Sequence, residues 1–307
     1  MGQTATDATG QSADQRQEVP TGAALVVTAA VLWSLQALIF RQIHVAGTWT
    51  VMFWRSVGML PVLLAFVAWR NDGQVLQPLR RVGLAGTAGG IGLVLAFAGA
   101  IYALQTTAVA MAVFLFSISP FLAAILGWLL LHEPVRRATW GAMALAGIGL
   151  VIMLREGLAV GALAGNLAAL ASGLGFAGFS VALRAGKLAD MMPAVVLGGL
   201  FSLLAGAVVV GLSPRETLAV PLSDILWSTG MGAGTLAAGM VLYTLGSRAL
   251  PAAEMTLLSL MEVLLAPIWV WLVLGETARA GTLAGGALIL VAVALNALSG
   301  GERQAMV

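Results

Sequence analysis

The chain has 307 residues, 60% of them hydrophobic and only 9% charged, with 38 glycines and a mean hydropathy of +0.99. So few charges cannot coat a soluble core of this size, and lipid is the solvent that suits such a surface. The absence of cysteine excludes disulfides and thiolate metal sites, and two histidines, His44 and His132, are too few for a histidine metal cluster.

Read in chain order, residues 1–21 are rich in Gln, Thr, Ala, Asp and Glu, with one Arg. They lack the basic and apolar regions of a signal peptide, so they are expected to form a disordered cytoplasmic tail and the first apolar run to remain as a membrane span. A helix needs about 20 apolar residues to cross a hydrocarbon core of roughly 30 Å. Cutting the sequence at charges, prolines and turn signals gives ten such runs: 22–40, 49–69, 82–103, 107–131, 138–154, 162–183, 193–212, 224–246, 252–274 and 281–298. The third and fourth are separated only by Gln105-Thr106-Thr107. A second tail, 299–307, ends the chain.

Ten spans place both termini on one face. That face collects ten basic residues (Arg16, Arg70, Arg80, Arg81, Arg136, Arg137, Arg184, Lys187, Arg248 and Arg303), and the other collects Arg41, Arg155, Arg215 and Arg279. The positive-inside rule then predicts a multi-pass protein of a bacterial inner membrane with both termini cytoplasmic. Trp49, Trp69, Trp140 and Trp227 fall near span ends, as interfacial anchors do.

The two halves repeat. Leu131-His132-Glu133 closes span four and Leu274-Gly275-Glu276 closes span nine, each followed by a Gly-rich span. Glu133 and Glu276 are 143 positions apart, as are Arg41 and Arg184 at the ends of spans one and six. A repeat with an odd number of spans begins its second copy on the opposite face. The fold class predicted is therefore an all-α membrane protein with ten transmembrane helices, arranged as an inverted 5+5 repeat (22–154 and 162–298) around a central cavity.

Ser119-Pro120-Phe121, Leu131-His132-Glu133 and Gly141 in one half, with Pro267, Leu274-Gly275-Glu276 and Gly285-Gly286 in the other, resemble the EamA-type branch of the drug/metabolite transporter superfamily. Arg55, early in span two, also fits. Within that branch the chain looks most similar to the YddG-like aromatic amino-acid exporters. The resemblance implies export of amino acids or other small metabolites, with no cofactor. The proton-coupling Glu of the small four-span relatives has no counterpart, since span one offers only Gln36.

Candidate site residues follow from polarity at membrane depth. Glu262, near the middle of span nine, would cost roughly 2.5–3.5 kcal/mol facing lipid. It is expected to line a cavity, binding an ammonium group or carrying a proton, and it shares a helical face with Ser259. Its repeat mate is Ser119. Arg55 is a candidate to hold a carboxylate, or to pair with Glu262 when the cavity is empty. Trp33 and Gln36 share a face of span one, and Phe176 is the mate of Trp33, so aromatic side chains from both halves are expected to form an apolar wall; Tyr102 completes the set. Pro120 and Pro267 remove backbone donors and free carbonyls at Phe116 and Val263, as suits gating helices. Gly86 with Gly90, and Gly230 with Gly234, are read as helix-packing pairs.

An intramembrane enzyme would need a nucleophile–base pair or metal at depth, and the spans supply neither. The reading is a secondary-active or facilitative exporter working by alternating access, with a small-molecule substrate, protons as a candidate coupling ion and the bilayer as partners. A drug or other metabolite exporter, or a uniport-type pore, stands as the alternative.

Overall fold

A computed structural model describes the backbone of residues 4–159, 162–188 and 190–304. Residues 1–3, 160–161, 189 and 305–307, including the extreme ends of both expected tails, lie outside the described residues.

Thirteen α-helices and one π-helical segment build ten spans, and no strand occurs among the described residues. Span one is the apolar part, from Thr21, of α1 (Thr4–Phe40), which starts within the segment expected to be a tail. Span two is α2 (Thr48–Arg70), followed by the short α3 (Leu76–Arg81). Span three is α4 (Gly83–Thr106). Span four is split into α5 (Val109–Phe116) and α6 (Ser119–Leu131). Spans five to seven are α7 (Arg137–Ala159), α8 (Leu163–Ala185) and α9 (Met192–Leu212). Span eight joins α10 (Leu222–Gly230), a π segment (Met231–Ala237) and α11 (Ala238–Gly246). Spans nine and ten are α12 (Ala252–Leu274) and α13 (Ala280–Gln304). The faint cut between spans three and four is a real break: Thr107 is extended, at φ −136° and ψ 173°.

The packing obeys the inverted repeat. α4 lies on α8, and α11 on α1; α12 lies on α1, and α5–α6 on α8; α2 packs on α9, and α7 on α13. The first four pairings form two mated sets, and α2–α9 and α7–α13 are each carried onto themselves by the repeat. Of the two pairs read from the sequence only Gly90 packs closely on a neighbour, a Cβ there sitting 3.1 Å from the Gly198 backbone N of α9; other close contacts come from glycines outside those pairs. A Cβ at Gly175 would sit 2.6 Å from the Gly92 carbonyl, and one at Gly92 would sit 2.8 Å from the Gly175 carbonyl. Gly230 and Gly234 meet nothing within 4 Å, and Gly86 meets only Val82 of its own helix turn. The sequence spacing was present, but which face of a helix meets a neighbour is a tertiary choice.

Each Glu of the repeat motif follows a left-handed cap. His132 (φ 57°) ends α6 and Gly275 (φ 69°) ends α12. The αL residue reverses the chain, and the Glu133 N–H returns to the Gly127 carbonyl at 3.3 Å. Large exposed side chains, among them Leu84, Trp128, Leu130, Leu226, Leu272 and Leu295, cover the outside as lipid-facing surface.

Candidate functional site

A cavity of ≈190 Å³ lies at the junction of the halves, lined from spans one, two, three, four, six, eight and nine. Spans five and ten contribute no lining residue. Five expected site residues meet there: Trp33, Gln36, Arg55, Phe176 and Glu262.

Arg55 is 3% exposed, and its Nε and Nη2 have no hydrogen-bond partner. Its guanidinium lies over the Phe97 ring, 4.4 Å from the centroid. That contact offsets part of the cost of burying a cation and leaves the donor edge free. Glu262 lines the same cavity and pairs neither with Arg55 nor with another described cation. The pairing expected of an empty cavity is therefore absent, and both charges remain available to a third party. The backbone at Arg55 is pressed against span eight, since a Cβ at Gly232 would overlap the Arg55 carbonyl.

The remaining lining is mostly apolar, with aromatic side chains set among alanines. Trp33 packs on Tyr243, with centroids 5.4 Å apart, and its Nε1 donates weakly to the Leu236 carbonyl at 3.4 Å. Phe116 and Phe176 meet edge to face at 5.8 Å. Trp33 and Phe176 are repeat mates, and so are two further lining residues, Phe97 and Met240, 143 positions apart. Phe97 and Phe116 also line the cavity, and neither carries a sequence signal that separates a cavity wall from ordinary aromatic packing.

Three expected residues do not line the cavity. Tyr102 is 41% exposed on span three. Ser119 is buried beside Gly173 of α8. Ser259 donates to the Met255 carbonyl of its own helix at 2.7 Å. The prolines behave differently from each other: Pro120 opens α6 after a break at Ser117–Ile118, whereas α12 continues through Pro267. The positions named for their carbonyls, Phe116 and Val263, both line the cavity.

The fold and cavity define a ten-span, multi-pass membrane protein whose two inverted halves enclose a chamber with one free cation and one free carboxylate. Residues 20–155 match the model of the EamA-like transporter family. The match starts one residue before span one and stops one residue before the end of span five, so it covers one five-helix repeat. A crystal structure of another protein, 22% identical, superposes with a TM-score of 0.64 over 91% of this chain and 97% of its own, a likeness of fold. No curated protein matches the chain.

Proposed function

We propose that the protein is a secondary carrier that exports a small zwitterionic metabolite, an amino acid with an apolar or aromatic side chain, from the cytoplasm across a bacterial inner membrane. Arg55 holds the substrate carboxylate through its free Nε and Nη2, and Glu262 holds the ammonium. Trp33, Phe116 and Phe176 enclose the side chain, and Gln36 supplies a further polar contact.

The observation behind this reading is two opposite, unpaired charges facing one cavity of ≈190 Å³. Buried ions left without partners are costly, and a ligand carrying both complementary charges removes that cost on binding. The volume argues for a metabolite over a drug, because drug-sized ligands occupy roughly 300–1,000 Å³. Alternating access moves such a ligand without a chemical step, with the two inverted repeats exchanging shapes about the midplane site.

Counterflow in proteoliposomes tests the proposal. Labelled neutral amino acids should enter vesicles preloaded with unlabelled substrate, with saturation and exchange. Lack of saturable exchange across an amino-acid panel overturns the reading.

A further inference from the structure

Two ion pairs bracket the cavity, and the repeat operation converts one into the other. Arg41, ending span one, meets Glu276, following span nine; Arg184, ending span six, meets Glu133, following span four. The arginines are 143 positions apart, and so are the glutamates. Each pair joins an arginine from one half to a glutamate from the other, on opposite membrane faces.

The mates differ in engagement. Arg41 holds Glu276 through two bonds, Nε to Oε2 at 2.8 Å and Nη2 to Oε1 at 3.0 Å. It also donates to the Leu104 carbonyl at 2.7 Å and the Thr107 carbonyl at 3.1 Å, while the Val109 N–H donates to Glu276 at 2.9 Å. These bonds fasten the span three–four connection over the cavity, because Phe40 and Leu104 are lining residues. Arg184 contacts Glu133 through Nη1 alone, and its Nη2 takes the Ala123 carbonyl within span four. It makes no bond to the carbonyls of Ser247 or Leu250, the mates of Leu104 and Thr107. The Arg184 pair is also more open to solvent, with side chains 41% and 40% exposed against 24% and 28%.

We infer that these pairs are the two gate latches of the chain, set alternately, and that this conformer has the Arg41–Glu276 latch set and the Arg184–Glu133 latch slack. The inference rests on the carrier reading. In the opposite state, Arg184 swings to the span eight–nine connection and Arg41 releases the span three–four connection. Inverted repeats exchange conformations, so what one latch loses its mate gains.

The cysteine-free chain allows a direct test. With Ala100→Cys as the sole thiol on the cavity wall, labelling by a membrane-impermeant maleimide is measured from each face in right-side-out and inverted vesicles. R41A should raise labelling from the Arg41 face by about three- to tenfold, and R184A should lower it while raising labelling from the opposite face. E276Q and E133Q, which keep one acceptor oxygen but lose the charge and replace the other oxygen by a donor, should reproduce the opposed pattern if an arginine variant misfolds. Shifts of the same sign from mates, or no shift in folded variants, would overturn the inference. Labelling needs no substrate, so failure of counterflow leaves this result readable.

Discussion

Arg55 is buried and Glu262 half-buried against the same cavity, and substitutions should separate their tasks. R55A should reduce exchange of amino acids by at least about tenfold, because a buried charge contact to substrate is lost. R55K keeps the charge but gives up the planar donor edge lying over Phe97, so an intermediate loss is expected. E262Q should weaken amino acids more than their deaminated analogues, and equal losses for both would remove the ammonium contact. The left-handed caps give a stability prediction at the same scale. His132 and Gly275 occupy equivalent αL sites, yet only glycine is at ease there. H132G should raise thermal stability in detergent and G275A should lower it, each by about 1 kcal/mol.

Among the elements, spans three and six come into close backbone contact where glycines allow it. G175V would push a side chain against the backbone of Gly92 and Ala96, costing about 1–3 kcal/mol, whereas G230V meets open space and should leave the melting temperature nearly unchanged. Similar losses at both positions would contradict this packing. Span boundaries were legible in the sequence because lipid enforces a run length, even at the faint Gln105-Thr106-Thr107 cut. The break in span four had its signal in Pro120; that α12 continues through Pro267 had none. The π segment at Met231–Ala237, beside Arg55, also left no mark in the sequence. Both depend on how a helix is pressed by its neighbours.

For the whole molecule, ten spans and the basic-residue asymmetry give a topology that thiol labelling can check. Single cysteines in the 71–74 and 186–188 loops should react from the cytoplasmic side, and ones in the 213–221 loop from the opposite side. Reaction of both sets from one side would end the inverted arrangement. The candidate site was half legible. Glu262 and Arg55 stood out because charge at membrane depth is rare, and Trp33, Gln36 and Phe176 because repeat and helical face placed them together. Tyr102, Ser119 and Ser259 fit similar patterns, but helix rotation leaves Tyr102 exposed and sets Ser119 against α8, while Ser259, one turn before Glu262, bonds to the Met255 carbonyl of its own helix. Helix rotation is fixed by neighbours, which a sequence period alone does not identify.

By itself the sequence determined the span count, the inversion of the second half and the two charges that lipid would not tolerate, because hydrocarbon imposes those requirements on any chain locally. Tertiary structure decided which side chains share the cavity, that Arg55 and Glu262 stay apart, and that Arg41 and Arg184 find glutamates in the opposite half. Those outcomes follow from how helices distant in the chain are rotated and pressed together, and no local rule contains them.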